Sequence, residues 1–238
     1  MMQVSIQAIP ATVNRCNALL DWILTDLPPY AEVLEVGAGW GMWDYPMHIR
    51  ESGHHLVGVD PDPGIYDNPY LHDRYQTTVE EFAQRETCQF DTVYTHYVLE
   101  HVEDSPAFVS AVYKLLKPGG SFFSVTPNLA HYFGIASYLA NRFGVQDGLL
   151  RRLRGEPTAD SYHFAAAYRM NTVWSLRSLF QQVGAARLDF RMLESPSDFA
   201  CYFPKPLKFI PHMHSSLMYA LRLYPFMGTM LFRAQKPY

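Results

Sequence analysis

The 238-residue chain predicts an α/β fold built on a doubly wound, mostly parallel sheet. Short apolar runs alternate with segments of helical periodicity along most of the chain. These runs are continuous, as strands buried on both faces read, rather than alternating apolar with polar. One of them, Val33-Leu34-Glu35-Val36, breaks into Gly37-Ala38-Gly39-Trp40-Gly41, and a helix-compatible segment follows to Ser52. Gly53 ends that segment, and a second run, Leu56-Val57-Gly58-Val59, stops at Asp60. This is half of a nucleotide-binding βαβ unit.

The other elements fall into place around it. Residues 12–26 carry Cys16, Leu19, Leu20, Ile23 and Leu24 at helical spacing, and Pro28-Pro29 end that helix before the first strand. After Asp60, Pro61-Asp62-Pro63-Gly64 is a turn. Tyr75 to Val79 reads as a third strand, with Glu80-Glu81-Phe82 starting a short helix. Phe90 to His96 is rich in β-formers and reads as a fourth strand. Ser105 as N-cap and Pro106 at the first position open a helix through Phe108, Val109, Val112 and Leu115. Lys117-Pro118-Gly119-Gly120 stops it, and Ser121 to Thr126 is a fifth strand closed by Pro127-Asn128. A helix runs from Asn171-Thr172 to Val183, with Gly184 as its C-terminal signal. Arg187 to Leu193 and Gly228 to Ala234 are the sixth and seventh strands. The expectation is one domain over residues 1–238. Two connections, 129–170 and 195–227, are too long for simple links and are expected to cap the substrate side.

Composition narrows the function. Net charge is −4 and the isoelectric point is near 6.2, which argues against a broad basic face for nucleic acid. Cys16, Cys88 and Cys201 form no CxxC pair and no even disulfide set, so a reducing cytoplasm is expected. The first residues lack the charged head and apolar run of a secretory leader, and no stretch approaches the length of a membrane span. All acids lie at or before Asp198, whereas Lys205, Lys208, Arg222, Arg233 and Lys236 follow it.

Ligands of open α/β sheets bind beyond the carboxyl ends of the strands. That rule gathers Gly37 to Gly41, Asp60, residues 78–80, His96 to His101 and Pro127-Asn128 into one crevice. Glycine tolerates the angles of a tight strand-to-helix turn, and without a Cβ its backbone can touch a ligand. An acid about 20 residues past the glycines stands where it can accept ribose hydroxyls. No lysine follows the glycines, so the loop is not of the Walker type. Glu100, His101 and Glu103 imitate a metal cluster, but without nearby cysteines or a second such pair no metal is expected. The histidines at 48, 54, 55 and 72 read as solvated.

Several pieces together carry a family resemblance. An acid, Glu35, stands two residues before G-x-G-x-G. F-D-x-V from Phe90, V-L-E-H-V from Val98, L-K-P-G-G from Leu116 and T-P-N from Thr126 follow in order. Over residues 30–128 the chain resembles the type 11 and ubiquinone-pathway O-methyltransferase group of class I S-adenosylmethionine (SAM) methyltransferases. The resemblance implies a Rossmann-like, seven-stranded methyltransferase sheet whose sixth and seventh strands form an antiparallel hairpin. It implies SAM as cofactor, held by Glu35, Gly37, Gly39, Gly41 and Asp60. Thr78, Val79 and Glu80 would lie at the adenine, and His96 would flank the methionine part. The helix over 12–26 either covers that pocket or simply packs. The acceptor would be a small molecule or glycan-like compound methylated on oxygen.

His101, after the fourth strand, has a pKa near working pH and is the first candidate base; the alternative is that Glu100-His101 only fixes the loop. His163, in the first long connection, is the second candidate, with His131, Tyr132 and Tyr162 weaker. The long insertion between the last two strands departs from the simple family pattern. Competing readings are a nicotinamide-dependent oxidoreductase and a non-catalytic SAM-binding scaffold. Expected partners are the acceptor, no nucleic acid, weak membrane-surface contact through 199–222 and, at most, a second copy.

Overall fold

The computed structural model describes residues 2–143 and 167–238. Eight strands form one sheet: β1 (Gln3–Ala8), β2 (Glu32–Val36), β3 (His55–Asp60), β4 (Asp73–Gln76), β5 (Phe90–His96), β6 (Leu116–Pro127), β7 (Arg187–Leu193) and β8 (Thr229–Gln235). Their spatial order is β1-β7-β8-β6-β5-β2-β3-β4. Only β8 runs antiparallel, between β6 and β7. The expected hairpin of the last two strands is therefore present, despite the insertion between them.

The sheet has one strand more than expected. β1 pairs in parallel with β7, Gln3 opposite Arg187 through Ala8 opposite Met192. It lies at the edge, where Val4, Ile6 and Ala8 pack against the core and the residues between them are polar. Such a half-buried strand reads as an alternation, unlike the continuous runs of the sheet's centre.

Side chains of successive residues leave the sheet on opposite faces, and a helix layer covers each. Leu34, Val93, Phe122 and Phe232 belong to one core with α3 (Val79–Arg85), α4 (Ser105–Leu115) and α6 (Val173–Gln182). Val33, Tyr94, Phe123 and Leu231 belong to the other, with α1 (Arg15–Asp26) and α2 (Tyr45–Glu51). In the first core Phe122 stacks on Phe180 at 5.8 Å and meets Phe232 edge-on at 5.7 Å, geometries that add to simple burial.

Caps fix the helix starts. Asn14 Oδ1 accepts from the Cys16 and Asn17 amides, and Thr172 forms a capping box with Ser175. The start of α4 differs from expectation. Asp104, not Ser105, is the N-cap and accepts from the Ala107 amide at 3.0 Å, leaving Ser105 buried at the first helical position. A carboxylate also suits the positive end of the helix dipole. L-K-P-G-G does not end in a free turn: it lies inside β6, where the pairing with β5 shifts register.

The two long connections contribute α5 (Tyr132–Arg142), α7 (Pro196–Ala200) and α8 (Ile210–Ala220). They meet through aromatic rings: Phe199 lies 4.7 Å from His131 and 5.1 Å from Phe133, and Phe133 lies 4.7 Å from Tyr202. Asn128, at the end of β6, is buried and ties this layer down. Its Nδ2 donates to the Pro225 and Met227 carbonyls, and its Oδ1 accepts from the Ala130 amide. Among the described residues no helix is long and apolar enough to cross a membrane.

Candidate cofactor and acceptor sites

The turn after β2 is left-handed at Gly37 (φ 76°), Gly39 (φ 49°) and Gly41 (φ 83°). A Cβ on Gly37 would stand 2.3 Å from Val98 Cγ2, so the close approach as well as the backbone angle requires glycine. Two side chains brace the turn. Asp60 Oδ2 accepts from the Gly39 amide and Oδ1 from the Asp62 amide, both at 2.8 Å. Buried Asn68 donates through Nδ2 to the carbonyls of Ala38 (3.0 Å) and Gly39 (3.3 Å).

A cavity of about 470 Å³ opens against this turn, within the range of small-molecule sites. Glu35, Gly37, Gly39, Gly41, Asp60, His96 and His101 all line it, together with Tyr97 and Glu100. Burial pushes the Asp60 carboxyl up, against the two amide hydrogen bonds that favour its charge. Each of its oxygens takes one amide, and a carboxylate has about four acceptor positions, so it retains capacity for a diol. Trp40, Met42 and Trp43 are about half exposed at the rim.

His96 stands at the end of β5, with Nε2 3.2 Å from Cys16 Sγ at the start of α1. Burial, helped by the nearby Arg15 charge, pushes its pKa down to about 4. The ring is neutral at neutral pH. Tyr97 follows with φ 55°, a left-handed angle uncommon outside glycine and worth noting at a ligand site. Its amide donates to the Val125 carbonyl at 3.0 Å. Glu100 is buried, accepts from Thr126 Oγ1 at 3.0 Å, and has a pKa pushed up to about 7 by that burial.

Tyr97 also lines a second cavity of about 590 Å³. Arg15, Asn128, His131, Phe133, Phe199 and Tyr202 are among its other walls. Among the described residues its lysine-or-arginine lining is Arg15, which lies 5.7 Å from the Tyr97 ring centre and pairs with Asp198 at 2.8 Å. The basic groups of the last insertion do not reach it: Lys205, Lys208 and Arg222 are exposed and absent from its lining. Arg233 is held in the sheet by Asp26 and Asp189, and Lys236 donates to the Tyr113 and Leu116 carbonyls.

Some expected residues lie elsewhere. Thr78 caps α3 by accepting from the Glu81 amide, and Val79 is buried in the core. Neither lines the cofactor cavity, because β4 ends at Gln76 and the chain turns at once into the helix. His163 lies outside the described residues. His54 is not solvated: it is buried and its Nδ1 accepts from the Ala31 amide at 3.1 Å. Arg15, Asn68 and Asp198 carry site contacts that the motifs did not reveal, and Tyr97 is covered only as part of the His96-to-His101 stretch. Only Tyr97 had a sequence signal, its place between His96 and V-L-E-H-V.

The glycine turn, the acid after β3 and the antiparallel last strand define a class I methyltransferase fold. A family described as methyltransferase domain matches residues 11–194, and the chain belongs to that family. It is 35% identical over 108 residues to a ubiquinone biosynthesis O-methyltransferase of Hahella chejuensis, covering 42% of this chain and 44% of that one. It is 36% identical over 127 residues to the same-named protein of Erwinia tasmaniensis, covering 49% and 51%. The match thus spans about half the length of these relatives. Among solved structures, a SAM-dependent methyltransferase from Archaeoglobus fulgidus superposes with a TM-score of 0.59 at 13% identity, covering 93% of each chain. A Haemonchus contortus phosphoethanolamine N-methyltransferase 2 gives 0.58 at 15% identity, covering 93% of this chain and 53% of that one. These two likenesses bear on the fold alone.

Proposed function

We propose that this chain transfers a methyl group from SAM to a hydroxyl oxygen of a small acceptor. The observation that carries the reading is the pair of cavities meeting at Tyr97, one on the glycine turn and Asp60, the other walled by aromatic rings. The relatives' name, O-methyltransferase, supports oxygen as the acceptor atom. The rings of Tyr97, Phe133, Phe199 and Tyr202 favour a flat aromatic compound over a glycan.

The chain's residues would act by holding and aligning. Gly37, Gly39 and Gly41 admit the ligand to the backbone, Glu35 borders the same cavity, and Asp60 accepts from the ribose hydroxyls. SAM, when bound, supplies a methyl group already activated on a sulfonium, so the protein's main tasks are alignment and exclusion of water. A neutral His96 suits that neighbourhood, since an imidazolium would repel the sulfonium. His101, on the wall of the cofactor cavity beside Glu100, is our candidate to take the acceptor proton. The same proposal includes a cytoplasmic monomer or homodimer. Weak contact with a membrane surface is part of it too, through the exposed Phe209, Met213, Leu217 and Leu221, spaced four apart, with Lys205, Lys208 and Arg222 nearby.

Calorimetric titration with SAM, with NADH as control, tests the cofactor. Formation of S-adenosylhomocysteine against a panel of phenols, catechols and sugars tests the acceptor. No SAM binding by the folded protein would overturn the reading. His101→Ala is expected to lower turnover about 100-fold near neutral pH, with SAM affinity unchanged and the loss shrinking at high pH, where the acceptor ionises unaided. An equal loss at every pH would assign His101 to loop geometry instead.

A further inference from the structure

Beneath the aromatic layer of the second cavity lies a group of side chains that methyl transfer does not require. Glu194 follows the end of β7, His131 precedes α5 and His214 is on α8. Glu194 Oε1 lies 3.3 Å from His131 Nε2 and 3.1 Å from His214 Nδ1. Glu194 and His131 have side chains 1% exposed, and His214 21%. All three donor atoms lie within 4.8 Å of one another. Close as they are, none of the three has a well-directed hydrogen bond among the described residues. No lysine or arginine described here lies within 4.0 Å of the Glu194 carboxylate. A buried carboxylate whose Oε1 faces two imidazoles, with no lysine or arginine beside it, is costly.

We propose that His131 Nε2, His214 Nδ1 and Glu194 Oε1 form a binding site for a first-row divalent cation of the zinc type. Two imidazole nitrogens and one carboxylate oxygen are a known donor set for Zn²⁺ with an open fourth position. Ligands about 2.0–2.2 Å from one ion at tetrahedral angles stand about 3.3 Å apart, close to the two separations from Glu194 Oε1. The cation would supply the charge that Glu194 lacks.

In this structure the Phe133 amide donates to His131 Nδ1 at 3.3 Å, which leaves the ring proton on Nε2, so ligation through Nε2 requires the other tautomer and the loss of this bond. That contact is long for an N–H···N bond, and Phe133 is in the first turn of α5, where amides have no partner inside the helix. Metal binding should turn that amide away. The open position has a defined outlook. His131, Phe199 and Gly228 line the second cavity, and a Cβ on Gly228 would stand 3.3 Å from Glu194 Oε2. Of the three ligands only His131 is in that lining, so the cation would lie behind the cavity wall, beside the acceptor where that cavity is assigned to it.

The test uses the full chain, stripped with chelator and titrated with Co²⁺. The expected result is ligand-field absorption that saturates at one equivalent and is displaced by Zn²⁺. Glu194→Gln and His214→Gln should each weaken binding by about 100-fold or more, since loss of an outer-sphere partner alone gives 10–100-fold. His214 is partly exposed, so its variant is the one best placed to fold; circular dichroism and calorimetric SAM binding check both. Absence of a saturable spectrum, or equal affinity in the folded His214→Gln variant, overturns the site. Failure of SAM binding would instead overturn the methyltransferase reading and leave the Co²⁺ result standing.

Discussion

The two cavities are built in different ways. The cofactor cavity draws its walls from short stretches at the ends of β2, β3 and β5. Its backbone is fixed by close requirements: positive φ at three glycines, collision distances at Gly37 and Gly41, and an acid bonded to two amides. The cavity we assign to the acceptor draws on Arg15, Tyr97, residues between Pro127 and Ser137, Tyr168, residues between Ser197 and Tyr202, and Gly228-Thr229. Ring contacts and one buried asparagine hold it, and no local spacing records it. The first design tolerates little change, whereas the second can alter its walls without disturbing the sheet. A common cofactor and variable acceptors call for that division.

The largest effect that bears on this contrast is expected from Gly37→Ala. A non-glycine residue at φ 76° costs about 1–2 kcal/mol, and forcing a methyl against Val98 adds about 1–3 kcal/mol. Denaturant unfolding should therefore show a loss of about 2–5 kcal/mol, and calorimetry no measurable SAM binding. A stable variant that still binds SAM would remove the argument for a tightly constrained turn.

Asp60→Ala comes next. It removes a charged acceptor, worth about 1.5–3 kcal/mol, so SAM affinity should fall roughly tenfold to 100-fold. The acceptor KM, measured at saturating SAM, should hold. Equal losses for both ligands would mean that the cavities are not separable. Phe199→Ala examines the other side. The ring meets His131 and Phe133, and aromatic pairs are worth about 0.5–1.5 kcal/mol each, so acceptor KM should rise about two- to tenfold with SAM affinity unchanged. A change in SAM affinity here would join the aromatic layer to the cofactor site.

The same contrast governs what was legible in the sequence. β5 and β7 fall at their expected bounds, because buried strands declare themselves as apolar runs between turn residues. The three glycines, Asp60, His96 and His101 gather into one crevice by their places near strand ends, and with Glu35 they line one cavity. Thr78 and Val79, expected beside them, do not, because the exit from β4 depends on where the helix cap falls, and Thr78 is that cap. β1 was written as Val4, Ile6 and Ala8 between polar residues, but six alternating residues at a chain end carry little weight alone. Arg15 and Asp198, and the group of His131, Glu194 and His214, come together only through the tertiary fold. Periodicity cannot report contacts between residues so far apart in the chain.

The smallest effect on binding, and the one that probes the seam between the two regions, is expected from Glu100→Gln. Glu100 lines the cofactor cavity, yet its carboxylate accepts from Thr126 and its carbonyl from the amides of Ala167 and Tyr168. Thr126 Oγ1 in turn accepts from Asn171 at 2.6 Å. Glutamine preserves the accepting oxygen, so SAM affinity should change by no more than a few-fold. Stability should change with pH. Burial raises the folded pKa from 4.5 to about 7, so the native state binds the proton more tightly than the unfolded chain. The stabilisation is complete below the unfolded value and is lost as pH rises through the folded one. Between those limits the shift is on the order of 3 kcal/mol. Wild type should therefore lose that stability on going from about pH 4 to about pH 9, whereas Glu100→Gln should lack this component. Urea unfolding of both proteins across the range checks it. Parallel curves would mean that Glu100 ionises as an exposed acid does, and that water already reaches the seam between the cavities.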